Sequence, residues 1–188
     1  MLLESLNERQ LSKAVSKKNQ ILVGNFDNSS WIRCEGKGSF CNSPQMKQWA
    51  ENQVAKGIHT IVIDLEECTG MDSTFMGTMA GIAMRLAKLP DGVLQVTGAS
   101  DKSRSSLEDL GLSMLLEIEP ADADWQQNIS SIRQSLQICQ DHTNVDNTQH
   151  VLDAHKTLCE ADDSNDEKFS TVLDVLEAEL ENRIQQGS

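Results

Sequence analysis

Apolar positions in the first 120 residues switch between a spacing of two and a spacing of three to four, which predicts strands and helices in turn. Ile21-Leu22-Val23 and Trp31-Ile32-Arg33-Cys34-Glu35 read as short strands, with Asp27-Asn28-Ser29-Ser30 as the turn between them. Gly36-Lys37-Gly38-Ser39 reads as a loop. Ser43 is placed to cap a helix over 45–56, with Pro44 in its first turn and a stop at Gly57. Met46, Trp49, Ala50 and Val54 are its inward positions. Thr60-Ile61-Val62-Ile63-Asp64-Leu65 is a β-branched run with little alternation, the mark of a strand buried on both faces. A second helix over 73–88 puts Phe75, Met79, Ile82 and Leu86 on one side, and Pro90-Asp91-Gly92 ends it. Val93-Leu94-Gln95-Val96-Thr97 is the next strand. Ser100 or Asp101 caps a third helix that closes at Leu110-Gly111, and Leu115-Leu116-Glu117-Ile118 is a last strand. This alternation predicts an α/β fold, a small sheet flanked by helices.

Beyond residue 120 the apolar pattern is helical, with the polar stretch 141–147 reading as a loop. Trp125, Ile129, Ile132, Leu136 and Cys139 recur every three or four residues, which predicts one helix over 124–139. Two further stripes follow: Val151, Leu152, His155, Leu158 and Cys159, then Phe169, Val172, Leu173, Leu176 and Leu180. The acidic turn at 162–166 joins them into a helical hairpin. Its apolar face must cover the α/β part, a second copy of the chain or a partner, and the C-terminal helices are thus a candidate homodimer contact.

Charge sharpens the boundary. Residues 1–120 hold 12 basic and 15 acidic side chains, a net of −3, whereas 121–188 hold 4 and 14, a net of −10. The expected organisation is an N-terminal extension at 1–19, an α/β domain at 20–120 and an acidic helical extension at 121–188. A chain of net charge −13 is ill suited to nucleic-acid backbones or anionic membranes. There is no apolar run of spanning length and no basic start before an apolar segment, so a cytoplasmic protein without a signal peptide is expected. Five scattered cysteines fit reduced thiols.

One stretch carries chemistry: Asp64-Leu65-Glu66-Glu67-Cys68-Thr69-Gly70-Met71-Asp72-Ser73-Thr74-Phe75-Met76-Gly77. A buried strand ends in Asp-Leu, and a short loop reaches Asp72-Ser73 where a helix begins at once. This resembles the STAS domain (sulfate transporter and anti-sigma-factor antagonist), in particular the soluble bacterial anti-sigma-factor antagonists. Their signature is a strand ending Asp-Leu followed by Asp-Ser-Ser/Thr-Gly-Leu-Gly at a helix start. Leu107-Glu108-Asp109-Leu110-Gly111-Leu112 matches a second family pattern, and the resemblance spans about 20–120.

The resemblance implies that Ser73 is reversibly phosphorylated by a serine kinase of the anti-sigma type and dephosphorylated by a PP2C-type phosphatase. In this reading the unphosphorylated form binds the kinase and relieves its hold on a sigma factor. The protein then acts by binding rather than by turnover, with no cofactor or metal of its own. Partner contact is expected at Asp72, Thr74, Phe75, Met76 and Ser39. Phe75 stands where the family has Gly, which puts a bulky group beside the site. A non-catalytic scaffold, or a phosphatase-regulating adaptor whose tail recruits a partner, is the alternative.

The residues support such a switch on their own terms. A phosphate at a helix start meets unpaired amides and the positive end of the dipole, and brings about −1.5 to −2 charges. Asp72, Glu66 and Glu67 would repel part of that charge. The expected effect is a local electrostatic block with the fold unchanged. The bland reading is that Asp72-Ser73 merely caps a helix. Other candidates carry less. Gly36-Lys37-Gly38-Ser39 lacks phosphate-loop spacing. His59, His142, His150 and His155 form no metal-ligand pattern with the cysteines.

Overall fold

The computed structural model describes residues 19–140 and 145–186. The expected N-terminal extension at 1–19, all but Asn19, lies outside the described residues, as does His142. β1 (Gln20–Phe26) and β2 (Ser29–Gly38) form an antiparallel hairpin with Phe26 opposite Ser29. The turn is therefore only Asp27-Asn28, with Asp27 at φ 48°, a left-handed value suited to tight hairpins. Ser29 and Ser30, expected in the turn, already belong to β2.

β2 also outlasts its apolar signal. Gly36-Lys37-Gly38 is strand rather than loop, because it pairs in parallel with β4 (Cys68–Met71), with a register shift between Gly36 and Lys37. β4 is four residues long and has no alternation to betray it. The remaining elements are α1 (Ser43–Ala55), β3 (Thr60–Asp64), α2 (Ser73–Leu86), β5 (Val93–Thr97), α3 (Asp101–Glu108) and β6 (Glu117–Ile118). The seven-stranded sheet has the order β6-β5-β3-β2-β1-β7, with β4 beside β2. β7 (Gln137–Ile138) is an edge strand from the tail. β1 runs antiparallel to β2 and β7, and the other pairs are parallel.

β3 is buried on both faces, as its composition predicts. Ile61 and Ile63 join Met46, Phe75, Met79 and Leu86 in the main core under α1 and α2. Val62 points the other way and joins Trp31, Trp125, Ile132 and Leu136. Trp31 and Trp125 meet edge to face with centroids 5.2 Å apart. The second face of the sheet is therefore closed by the start of the tail.

That segment is not one helix. A 3₁₀ turn at Gln126–Asn128 leads into α4 (Ile129–Ser135), and the chain is already extended at Leu136 (φ −66°, ψ 143°). Gln137 and Ile138 then pair with Val23 and Leu22 of β1. An edge strand offers a row of backbone groups that need partners, and this outweighs the helical period of the side chains.

The hairpin is α5 (Asn147–Ala161) and α6 (Ser164–Gln186). α5 lies against α2, and Leu158 is part of the main core, so the tail covers the α/β layer of its own chain. Asn165 is fully buried at the base of the hairpin. Its Nδ2 donates to Leu158 O at 2.8 Å and to Leu110 O at 3.1 Å. α6 is less committed: Phe169, Leu173 and Leu176 are half-buried, whereas Val172 is exposed. No helix among the described residues is long and apolar enough to cross a membrane.

Candidate functional site

The start of α2 is assembled from three segments distant in sequence. Asp72 holds an extended conformation (φ −92°, ψ 170°) and caps the helix, its Oδ1 accepting the Phe75 amide at 2.9 Å. Its Oδ2 accepts the Phe40 amide at 3.0 Å, and its own amide donates to Gly38 O at 3.0 Å. Asp72 thus fastens the loop after β2 to the helix start. Ser39 lies in that loop between those two contacts, with its amide donating to Asn42 Oδ1 at 2.8 Å.

Ser73 is the first residue of α2 and is partly buried. Its Oγ lies 2.9 Å from Nε2 of His155 on α5. The other ring nitrogen, Nδ1, lies 2.8 Å from Val151 O one turn back. A carbonyl can only accept, so in the neutral ring Nδ1 carries the proton and Nε2 accepts from the Ser73 hydroxyl. His155 is itself buried, with the Phe169 ring edge-on at 4.9 Å. This differs from a hydrolytic serine–histidine pair, in which a carboxylate orients the base. Here the orienting group is a neutral carbonyl of the same helix.

A second serine–histidine pair lies beside it. Ser43 does not cap α1; Asn42 holds that position, and the buried Ser43 hydroxyl lies 2.8 Å from His150 Nε2. Between the two pairs the backbones of α2 and α5 nearly touch. A Cβ on Gly77 would lie 2.3 Å from Ala154 O. Glycine here permits a close crossing that no other residue allows.

Three of the residues expected to meet a partner are interior. Thr74 is 4% exposed, Met76 7% and Phe75 0%. The Phe75 ring lies over Gly38, where a Cβ would stand 2.9 Å from it. The bulk that replaces the family's Gly is therefore accommodated by the missing side chain across the sheet edge, and in this arrangement it is core rather than a docking surface. Asp72, Ser73 and Ser39 retain partial exposure. Glu66 was expected to repel a phosphate. Its carboxylate is instead held by Arg33 and Arg133, which offsets its charge.

From the sequence, His155 falls on a helical stripe and it and His150 read as structural rather than metal-binding, while nothing marks Arg133. The spacing of five between the two histidines is visible, but the serines they meet lie 82 and 107 residues away. No group of three or more His, Cys, Asp or Glu among the described residues is placed to hold a metal ion. Cys34 and Cys68 are buried, and Cys68 Sγ donates to Gly70 O at 3.4 Å.

His150 gives this region a pH dependence. Burial, and then the charge of Lys47, hold its imidazolium below the ordinary range, while Asp153 and Asp72 pull weakly the other way. The unfolded chain therefore takes up this proton at higher pH than the folded one. The contribution is fully present above about pH 6.5 and is lost as the pH falls from there toward the depressed folded value. Denaturation series between pH 8 and pH 5 should show stability declining below about 6.5, with a shallower decline in His150→Gln. Equal slopes in the two proteins would remove His150 as the cause.

A family model for the STAS domain matches residues 21–124. Among solved structures, the chain is similar to an anti-sigma factor antagonist from Mycobacterium paratuberculosis, at 19% identity and TM-score 0.49, over 60% of this chain and 92% of that one. It is similar to the anti-sigma factor antagonist SpoIIAA in its unphosphorylated form, at 20% identity and TM-score 0.45, over 60% and 96%. The phosphorylated form of the Bacillus cell fate determinant SpoIIAA matches at 19% identity and TM-score 0.46, over 60% and 99%. No curated protein matches the sequence.

Proposed function

The chain belongs to the STAS domain family, and from that premise we propose that it is a phosphorylation-controlled protein-binding switch of the anti-sigma-factor antagonist type, with Ser73 as the phosphoacceptor. One observation carries the reading: Ser73 opens α2 immediately after the Asp72 cap and is only partly buried. The first-turn amides of a helix have no carbonyl one turn earlier to accept them. One of them, the Phe75 amide, is already taken by Asp72, and the rest of the turn favours an anion on Ser73.

The partners are protein surfaces: a serine kinase that binds the free form and modifies Ser73, and a PP2C-type phosphatase that restores it. Asp72 and Ser39 form the part of the docking surface that remains accessible around Ser73. The added charge weakens the complex by repulsion and by desolvation of the phosphate. A cost of about 3–4 kcal/mol corresponds to a few hundredfold in affinity.

Incubation of the full chain with an anti-sigma serine kinase and ATP should place one phosphate on the peptide containing Ser73, as read by mass spectrometry. Ser73→Ala should abolish it, and Ser73→Asp should weaken kinase binding by a few hundredfold. Undiminished phosphorylation of Ser73→Ala would remove Ser73 from this role.

A further inference from the structure

The hairpin that closes over α2 has no part in the switch just described, yet it touches the switch residue directly. We propose that α5 is a gate in cis: while it is docked, it withholds the Ser73 hydroxyl from any kinase, and modification requires it to lift. The inference rests on Ser73 being the phosphoacceptor and adds how access to it is governed.

Three features support it. The first is the hydroxyl itself. A kinase must bring the γ-phosphate in line with Oγ and pass the departing proton to its own catalytic carboxylate. His155 Nε2 at 2.9 Å takes that proton in a hydrogen bond and occupies one side of the oxygen. The second is the nature of the seam. Gly77 and Ala154 meet backbone to backbone, and Thr157 Cγ2 comes to 3.8 Å from a Cβ placed on Gly81. A cleft of about 210 Å³ remains alongside, between α1, α2 and α5, so this half of the contact is incompletely filled. The third is its asymmetry. The C-terminal end of α5 is pinned by Leu158 in the main core and by Asn165. Toward its N-terminus the helix is held by two serine–histidine hydrogen bonds, the buried Leu152, the Phe169 ring on His155, the exposed Arg183–Asp146 pair and small residues, so the gate is a rise of the N-terminal part about the fixed base.

The coupling runs in both directions, as any linkage must. With Nδ1 donating to Val151 O, Nε2 of the neutral ring can only accept. Phosphorylation removes the hydroxyl proton that Ser73 gives to Nε2, so the hydrogen bond that closes this part of the α5 contact cannot persist in its present form.

The gate can be tested without a kinase. In full-length Ser73→Cys, alkylation of position 73 by N-ethylmaleimide is followed by peptide mass spectrometry, which separates it from the native cysteines. Gly77→Ala pushes α5 away through its clash with Ala154 O. Ala154→Glu, carried by α5 alone, does so while leaving α2 unaltered. Hydrogen exchange of α5 reports the release. Position 73 should react at least about tenfold faster in each released background, as expected when the reactive form is a minor population in the closed protein. Equal rates in closed and released proteins would overturn the gate. A kinase assay on Gly77→Ala and Ala154→Glu chains that retain Ser73 separates the two ideas. Rapid phosphorylation of the parental chain, unchanged on release, sinks the gate and leaves Ser73 as acceptor. Gated alkylation with no phosphate on the released chains sinks the acceptor assignment and leaves the gate.

Discussion

Asp64→Ala should cost about 3–5 kcal/mol of folding stability, the range seen when one member of a buried ion cluster is removed. Asp64 ends β3 with its side chain fully buried. Arg133 clasps it with two hydrogen bonds, Nε to Oδ2 at 2.8 Å and Nη2 to Oδ1 at 3.0 Å. Arg33 reaches Oδ2 from β2, and the Glu66 amide donates to Oδ1 at 3.1 Å. Removing the carboxylate leaves two guanidinium groups of low exposure sharing Glu66, which is itself 45% exposed and a weaker counter-charge, with Glu35 at 3.3 Å as a further partner for Arg33 alone. The effect extends to the tail, because Arg133 ties α4 to the sheet. Chemical denaturation should show the lower midpoint, and hydrogen exchange should show α4 opening more readily than β3. A loss below about 1 kcal/mol would mean that the arginines find water or Glu66 at little cost.

Phe75→Ala should be of similar size, about 3–5 kcal/mol, through lost burial and the cavity left behind. The ring has no exposed surface and lies on Gly38, which has no side chain to move into the space. The substitution also loosens the site. Phe75 follows Ser73 by two residues, and its amide is the one that Asp72 caps. For a protein of this size each kcal/mol lowers Tm by roughly 2–4 °C, so a fall of about 6–20 °C is expected in calorimetry. A fall of under about 2 °C would show that β2 and α2 collapse together and refill the gap.

These two residues also mark how far the sequence could be read. Phe75 is visible as an apolar position at helical spacing, and that much places it on the core side. Its standing beside Ser73 suggested a surface role, because a motif records neighbours along the chain and not the glycine across the sheet that receives the ring. Asp64 is visible as the end of the Asp-Leu strand. The two arginines that neutralise it lie 31 and 69 residues away, and no local period connects them. The tail shows the same limit. Its apolar stripes predict α5 and α6 well, yet 124–139 reads as a helix and ends as a strand, because the open edge of β1 decides its last residues.

The strand–helix order, the two-sided burial of β3 and the helix that begins at Ser73 follow from side-chain spacing, capping and turn chemistry, which act over a few residues and so are written in the chain itself. The closing of the second sheet face by Trp125, Ile132 and Leu136, the pairing of Ser43 with His150 and the meeting of Ser73 with His155 were decided only when the chain folded back on itself. Such contacts depend on which surfaces are left uncovered and which buried polar groups still lack a partner, and neither exists until the layers have packed.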